Sequence, residues 1–502
     1  MFSMVEKELK KRENTSITEN GAFGYKTSNS ALLDLNYAVS SFRHCTEDDI
    51  ILLFDKAFYE DKKYALKWLF FARDILECLG ERHLFRTCNK RLADLDINIF
   101  YKNLKYIPEY GRWDDLISLI GIDDDIDEHI NEIIKSQLND DLSGIDANEP
   151  ISLLGKWLPS ENASSKNTKA MAKKVRNMLD MTPRRYRLLL SKLRKYLKVT
   201  EVYTCSNQWG KIDYERVPSL ANLKYKNAFL KHDYNRREAY LESVEKGSSK
   251  MNMKVATPVD VVSRYGTQWY GIKEYDPTLE LAWRNLKDIF VSETLVVADG
   301  SSSMLMPISG KTRALDVANA LAIYTSEHNS GIYKDKYITF SATPQFVDLS
   351  KADSLQEKLQ IALKHDEIAN TNIEAVFDLI LAVAVENDIE KNEMIRNVLI
   401  ISDMEFDHAQ VGYFSKGQAL TKPLFDEIKE RYNKSGYDLP KLIFWNVNSR
   451  TKTIPLIENK LGVTLVSGFS QNVLKMVMND RYNPYEVLIE TLDSERYVPI
   501  EC

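Results

Sequence analysis

The stretch Thr294–Ser303, with the sequence TLVVADGSSS, decides how the second half of the chain folds. Leu295, Val296 and Val297 are apolar without alternation, which is typical of a strand buried on both faces of a parallel sheet. The strand runs directly into an aspartate, a glycine and three serines. Ligands of open α/β sheets bind beyond the carboxyl ends of the strands, so this loop is a candidate binding site.

Short apolar segments alternate with amphipathic ones from about residue 293 onward. Repeated strand–helix units imply a mostly parallel sheet covered by helices on both faces. We therefore predict a doubly wound α/β domain over residues 293–502. Its predicted strands are Thr294–Ala298, Tyr337–Phe340, Val398–Ile401, Leu442–Val447 and Val463–Val466, and its predicted helices are Ala314–Glu327, Thr371–Glu386, Gln471–Met478 and Tyr485–Leu492.

Residues 30 to about 250 show helical spacing instead. Apolar residues recur every three or four positions in Ala31–Phe42, Tyr64–Leu79 and Leu84–Leu95, and turn residues such as those of Ile107–Gly111 separate the segments. No repeat has a fixed period, so we predict an irregular, HEAT-like helical-repeat array. The predicted division of the chain is an N-terminal arm over 1–25, a helical domain over 26–264, a linker over 265–292 and the α/β domain over 293–502.

Oxygen-bearing side chains stand at three places where strands are predicted to end or helices to begin. Hydroxyl and carboxylate oxygens are the donors that Mg²⁺ and Mn²⁺ prefer. A polar turn would explain the DGSSS stretch alone, but three such loops in order favour a metal site at one edge of the sheet. The candidate ligands are Asp299, Ser301, Ser303, Thr371 and Asp403.

This pattern resembles the metal-ion-dependent adhesion site of von Willebrand A domains, in which Asp-x-Ser-x-Ser, a threonine and an aspartate follow one another along the chain. The resemblance implies that Ser301 and Ser303 bind the metal directly and that Thr371 binds it in one of two states. Asp299 and Asp403 would act mainly through waters and through hydrogen bonds to the serines. The sixth position would be left for water or for an acidic protein ligand.

The helical half resembles the RNA-binding TROVE module of Ro autoantigen proteins and, more closely, the two-part family catalogued as domain of unknown function 2828. In Ro-type proteins the helical repeats close into a ring, and the A-type domain bridges its ends. The resemblance implies that structured RNA binds an outer basic surface and that single-stranded RNA ends enter the ring. The segments that carry it are Ala22–Phe42, Phe71–Arg86, Ile107–Leu116, Leu154–Ser165 and Ala228–Asp233.

One segment, residues 166–198, is strongly basic in a chain whose net charge is −6. It holds twelve lysines and arginines against one acid, Asp180, so its net charge is +11 and the rest of the chain carries −17. Thr182 as N-cap and Pro183 after it predict a helix start. A cationic stripe on such a helix is suited to a phosphate backbone. The alternatives are a solvated basic face or one paired with the acidic stretch Asp123–Glu128. The predicted RNA contacts are Lys173, Lys174, Arg176, Arg184, Arg185, Arg187, Arg194, Lys195 and Lys198.

The sequence shows no signature of an enzyme or of a membrane protein. It contains no Walker A motif, no HExxH and no GxSxG, and its seven histidines are scattered. Asp114 and Asp115 form a carboxylate pair that suits helix capping better than catalysis. The five cysteines form no CxxC pair, which indicates a reducing compartment. No apolar run is long enough to span a membrane.

The sequence therefore predicts a cytoplasmic, non-enzymatic RNA-binding scaffold of Ro-like plan. Its expected partner is structured or single-stranded RNA, its expected cofactor is Mg²⁺ or Mn²⁺, and no membrane contact is expected. The alternative is a module for metal-dependent protein adhesion or structural assembly without RNA, in which the metal site grips an acidic partner.

Overall fold

The computed structural model describes residues 14–17, 23–43, 45–266, 272–288, 293–309, 312–341, 343–365, 373–403, 422–448, 463–467 and 483–502. The chain divides into two units, each made of two separate stretches. We call them the α/β unit (Met1–Ala65 with Ala256–Ser494) and the helical unit (Leu66–Val255 with Glu495–Cys502).

Helices dominate the first half of the chain, as the sequence predicts. A short antiparallel hairpin, β1 (Thr15–Ile17) and β2 (Phe23–Tyr25), precedes them inside the predicted arm. The helices are α1 (Ala31–Tyr37), α2 (Glu47–Glu60), α3 (Lys62–Arg73), α4 (Arg82–Leu95), α5 (Ile97–Asn103), α6 (Ile107–Tyr110), α7 (Trp113–Ile117), α8 (Asp124–Ala147), α9 (Leu154–Trp157), α10 (Lys166–Met178), α11 (Pro183–Tyr196), α12 (Thr200–Cys205), α13 (Ser219–Lys224), α14 (Lys226–His232) and α15 (Tyr234–Glu245).

The second half alternates strands and helices. Its elements are α16 (Pro258–Tyr265), α17 (Pro277–Arg284), β3 (Thr294–Asp299), β4 (Pro307–Ser309), β5 (Thr312–Arg313), α18 (Ala314–Glu327), β6 (Lys336–Phe340), β7 (Phe346–Asp348), α19 (Leu355–Lys364), α20 (Ile373–Glu386), β8 (Asn397–Ser402), α21 (Lys422–Lys434), β9 (Lys441–Asn446), β10 (Val463–Ser467) and α22 (Pro484–Leu492). The five predicted strands are β3, β6, β8, β9 and β10, so the α/β prediction is confirmed. The predicted helix Gln471–Met478 lies outside the described residues.

The ends of the helices are set by short polar side chains. The Thr182 hydroxyl accepts from the Arg185 backbone N–H at 3.3 Å, and Pro183 follows at the first helical position, as the sequence predicts. Thr46 caps α2 in the same way, and Asp49 returns a bond to it. These caps satisfy N–H groups that have no partner within the helix.

A buried carboxylate joins three parts of the helical unit. Asp115 is 1% exposed and accepts from the Arg73 Nε at 2.9 Å and from the Arg86 Nε at 2.8 Å. It also accepts from the backbone N–H of Arg112 at 3.0 Å, just before α7. A Cβ at Gly111 would lie 2.6 Å from this carboxylate, so glycine is needed in the turn. Asp115 therefore has the structural role that the sequence predicts for it.

The terminal segment Glu495–Cys502 packs into the helical unit. The Arg496 Nε donates to Asp74 at 2.9 Å, and its guanidinium lies 4.4 Å from the centre of the Tyr110 ring. The Tyr110 hydroxyl donates to the Arg496 carbonyl at 2.5 Å. Tyr497 is 2% exposed and stacks on Tyr110, with 5.7 Å between ring centres. The predicted α/β domain ran to residue 502, so the structure places this segment differently.

The α/β unit is built on a six-stranded sheet in the order β10-β9-β8-β3-β6-β7. Neighbouring strands are parallel except β6 and β7. Leu295 and Val297 on β3 belong to a core cluster with side chains of α20 and α21, while α18 packs on β3 as well. All six residues of β3 are buried, which confirms the prediction of a strand covered on both faces.

Residues near the start of the chain complete the α/β unit. Helix α1 packs against β10 and α22, and Tyr37 is 2% exposed in the core cluster. The Asn446 side-chain amide donates to the Tyr37 carbonyl at 3.5 Å. The Tyr64 hydroxyl donates to Asp493 at 2.8 Å, and this bond raises the pKa of Tyr64 to about 12. Helix α1 therefore belongs to this unit and not to the helical domain predicted over 26–264.

The predicted linker 265–292 contains a helix that is fixed to the α/β unit. Glu280 on α17 is 3% exposed. Its carboxylate accepts from the backbone N–H groups of Leu355 at 2.8 Å and Gln356 at 3.1 Å, which are the first two residues of α19. The Tyr265 hydroxyl donates to the same carboxylate at 2.5 Å. A carboxylate at a helix N-terminus stabilises the helix, so α16 and α17 are structural parts of the unit.

The central position of β3 makes its interior intolerant of charge. We expect Val296→Asp to unfold the α/β unit, because an unpaired buried carboxylate costs several kcal/mol. Urea denaturation followed by circular dichroism measures this. The same substitution at Val385, which is 49% exposed on α20, is the matched control and should change the midpoint little. Equal midpoints for the two variants would contradict the buried placement of β3.

Candidate metal site and basic surface

The carboxyl ends of β3 and β8 meet at one edge of the sheet. Ala298 is paired with Ile401 in the parallel register, so the residues that follow them lie at the same level. Asp299 is 3% exposed and Asp403 is 1% exposed. Two acidic side chains are thus buried where neighbouring strands end.

Hydrogen bonds hold the DGSSS loop against the end of β8. The Ser402 hydroxyl donates to Asp299 Oδ2 at 2.6 Å, and the Ser301 backbone N–H donates to Asp299 Oδ1 at 2.9 Å. The hydroxyls of Ser301 and Ser303 are 3.0 Å apart. The Asp299 carboxylate therefore orients the loop that carries both serines. Thr371 lies outside the described residues.

The donor set at this edge suits a hard divalent cation. Carboxylate and hydroxyl oxygens are what Mg²⁺ and Mn²⁺ bind, and Ser301 and Ser303 already place two hydroxyls side by side. In the described part of the chain, no three His, Cys, Asp or Glu side chains come together in a way that could hold a metal. Hydroxyl ligands would therefore have to supply much of the coordination.

Polar residues that the sequence analysis did not single out also line this edge. Ser402 donates to Asp299 and is fully buried. Asn446, at the end of β9, is paired with Ser402, and its side-chain oxygen accepts from the Asn448 backbone N–H at 3.1 Å. The sequence did contain a signal for these residues, because each of the two apolar strands ends in a polar residue. The pairing register was needed to show that the three strand ends adjoin.

The basic segment forms α10 and α11 of the helical unit. Both helices bury an apolar stripe, which includes Ala172 and Val175 on α10 and Tyr186 and Leu190 on α11. Their cations lie mostly on the other side. Of the nine predicted RNA contacts, seven are exposed: Lys173, Lys174, Arg184, Arg185, Arg187, Lys195 and Lys198.

The other two predicted contacts are bonded within the protein. The Arg194 Nε donates to the Gly155 carbonyl at 2.9 Å, and its Nη2 donates to the Leu158 carbonyl at 2.6 Å. The Arg176 Nε binds Glu161 at 2.8 Å. Arg194 is half-buried and does not extend the solvent-facing stripe in which the sequence placed it. The spacing of residues along α11 does not reveal that Arg194 can reach the backbone carbonyls of α9.

The acidic stretch Asp123–Glu128 does not neutralise the basic segment. Asp123 accepts from the Asp125 backbone N–H at 2.9 Å, and Asp127 accepts from the Gly121 backbone N–H in the preceding turn at 2.7 Å. Across the described residues, Arg176 and Lys192 are the only cations of the segment with a carboxylate within 4.0 Å, from Glu161 and Asp146 respectively. The predicted alternative of pairing with the acidic stretch is therefore not seen.

Comparison with known proteins gives two family matches and one full-length relative. The family described as Domain of unknown function (DUF7788) matches residues 293–496, and Domain of unknown function (DUF2828) matches residues 161–289. Uncharacterized protein L728 of Acanthamoeba polyphaga mimivirus is 31% identical over 524 residues, which cover 96% of this chain and 87% of that protein. The predicted resemblance to the DUF2828 family is confirmed.

Among solved structures, the chain matches the crystal structure of the Deinococcus radiodurans Ro (RSR) protein. The match covers 91% of this chain and 95% of that chain, with a TM-score of 0.36 and 13% sequence identity. Within the described residues, the structure contains no helix long and apolar enough to cross a bilayer.

Helix α11 carries both exposed cations and one that is bonded within the protein, and we expect their mutation to affect stability differently. We expect Arg194→Ala to destabilise the helical unit by about 2 kcal/mol or more, because two backbone carbonyls lose a charged donor. Arg187→Ala removes an exposed cation from the same helix and should change stability by about 0.5 kcal/mol or less. Chemical denaturation of both variants measures the difference. Equal loss of stability would contradict the internal role of Arg194.

Proposed function

We propose that this chain, which belongs to the same family as uncharacterized protein L728 of Acanthamoeba polyphaga mimivirus, is a non-enzymatic RNA-binding scaffold. One observation carries the proposal. Six exposed cations lie on the consecutive helices α10 and α11, and a seventh, Lys198, lies just after α11; none has a carboxylate within 4.0 Å among the described residues. Unpaired cations that are close together in the chain repel each other, so a polyanion would bind there with release of its counterions.

The proposal includes a metal-ion-dependent adhesion site in the α/β unit. Ser301 and Ser303 would hold Mg²⁺ or Mn²⁺ directly, and Asp299, which already binds the Ser301 backbone, would orient them. The ion would supply a positive charge that can accept a water or a ligand carboxylate. In this proposal the ion binds a ligand and catalyses no reaction.

The alternative function is metal-dependent protein adhesion without RNA. The buried oxygen donors at the sheet edge support it as well as they support the scaffold proposal. The two functions differ at the basic surface, which would bind no RNA if the protein only mediated adhesion. The two functions are therefore separated by RNA binding and not by metal binding.

The basic surface predicts a salt-dependent affinity for RNA. We expect the combined change of Arg184, Arg185, Arg187 and Lys195 to Gln to weaken binding to unrelated RNA sequences alike. The salt slope, log affinity against log salt, should fall by about 3 in magnitude if all four contact phosphate. Fluorescence anisotropy with labelled RNA over a range of salt concentrations measures both quantities.

A charge-matched variant controls for the loss of four positive charges. Changing Lys90, Lys135, Lys231 and Lys254 to Gln removes the same charge from other exposed positions of the helical unit. This variant should keep nearly the wild-type affinity and slope. Two results would refute RNA binding at α10 and α11: no measurable affinity of the wild type at low salt, or equal slopes for the two quadruple variants.

The metal site predicts that Asp299→Asn lowers the affinity for Mg²⁺ and Mn²⁺ by at least about tenfold, since it removes a charge that orients two ligands. Asparagine keeps a carbonyl oxygen that can accept from Ser301, which protects the loop. Calorimetry with Mn²⁺ measures the affinity. Asp438→Ala, which removes an exposed carboxylate of the same unit, is the control. RNA binding should be unchanged in both variants. An Asp299→Asn protein with wild-type Mn²⁺ affinity would show that the site is wrongly assigned.

A further inference from the structure

Two cations of the helical unit lie close to the ring of Trp157. The Arg112 guanidinium carbon lies 5.0 Å from the centre of the Trp157 ring, and the Lys156 Nζ lies 5.6 Å from it. All three side chains are half-buried. Cation–π contact of this kind fixes the positions of both charges without neutralising either of them.

Two nearby aspartates, Asp114 and Asp115, are bound by other arginines. Asp115 is held by Arg73 and Arg86, and Asp114 accepts from the Arg86 Nη2 at 2.8 Å. Arg82 reaches Asp114 only at 4.0 Å and is 46% exposed in its side chain. Arg73 and Arg86 alone therefore balance the charges of both aspartates.

Arg112 and Lys156 lack a close ion-pair partner in the part of the chain that the structure describes. Across the described residues, neither has a carboxylate within 4.0 Å. Burial lowers the pKa of the Arg112 guanidinium, and the charges of Arg82 and Arg73 lower it further. Burial also lowers the pKa of Lys156, with Glu201 opposing this effect and Arg112 adding to it. The protein therefore holds two partly desolvated cations near each other against their mutual repulsion.

We propose that Arg112 and Lys156, positioned by Trp157, form a binding site for a phosphate monoester dianion. Two partly buried cations match a group that carries nearly two negative charges, whereas an internal phosphodiester carries one. Arginine offers a forked donor for two phosphate oxygens, and lysine adds a point charge. Such monoesters occur at phosphorylated RNA ends and in free mononucleotides.

The site is joined to the basic surface through helix α9. Lys156 and Trp157 lie on α9, and Arg194 of α11 binds the carbonyls of Gly155 and Leu158 at its two ends. A Cβ on Gly155 would lie 2.5 Å from the Cβ of Leu193, so glycine permits the close approach. An RNA lying on α11 could thus place a terminal phosphate at α9. If the ligand is an RNA end, this inference rests on the proposed RNA binding. If the ligand is a mononucleotide, the inference does not depend on that proposal.

Thermal unfolding of the full chain with inorganic phosphate, and then with AMP, tests the site at constant ionic strength set with sodium chloride. Both anions should raise the wild-type melting temperature, since a ligand that binds only the folded state stabilises it. The double change of Arg112 and Lys156 to Gln should abolish the response. Lys156→Gln alone should weaken AMP binding by about tenfold, for the loss of one charged contact. Binding should also weaken below about pH 6, where the monoester dianion takes up one proton and becomes a monoanion.

The double change of Lys90 and Lys135 to Gln is the charge-matched control and should respond to phosphate as the wild type does. A wild type that phosphate and AMP do not stabilise would overturn the proposal. An equal response of the Arg112 and Lys156 double variant would overturn it too, because the anion would then bind elsewhere.

RNA oligonucleotides with and without a terminal phosphate separate the two sources. Tighter binding of the phosphorylated oligonucleotide than of AMP identifies an RNA end, and the reverse order identifies a mononucleotide. Either order supports the monoester site. The α11 quadruple variant should still bind AMP. If the wild type binds AMP but no RNA, the RNA-binding proposal fails and the phosphate site stands.

Discussion

The helical unit depends on the buried carboxylate of Asp115, which is stable inside the protein only because two guanidiniums and a backbone N–H are held against it. Removing one partner of such a group leaves an uncompensated charge at a cost of about 3–5 kcal/mol. The bonds tie α3 and α4 to the turn before α7. They also decide which cations remain unmatched, since the arginines that bind Asp115 and Asp114 leave Arg112 and Lys156 without a carboxylate within 4.0 Å among the described residues.

The two candidate sites are built on different physical principles and belong to different units. At the sheet edge, parallel pairing brings buried oxygen donors from separate strands to one level, with Asp299 bonded to Ser402. On α10 and α11, repulsion between exposed cations is tolerated because water and salt screen it. The first arrangement suits a small hard cation, and the second suits an extended anion. The two ligands of the proposed scaffold would therefore have opposite charge.

The sequence predicted those parts of the fold that depend on short-range pattern. The apolar run of β3, the oxygen donors after it, and the cap at Thr182 each follow from a few consecutive residues. The sequence did not predict that Glu280 binds the start of α19, or that Arg194 bonds to the ends of α9. Both contacts join elements far apart in the chain, and no local spacing encodes them. The same holds for α1, whose helical pattern was recognised while its place in the α/β unit was not.

The terminal segment Glu495–Cys502 sets an order for biosynthesis. The helical unit is otherwise made of Leu66–Val255, so its last structural piece leaves the ribosome about 240 residues later. At ordinary rates of translation this delay is roughly ten seconds to a minute. During that time Asp74 and the Tyr110 ring have no Arg496 to contact. The α/β region is made in between, so the helical unit receives this segment only after that region has been synthesised.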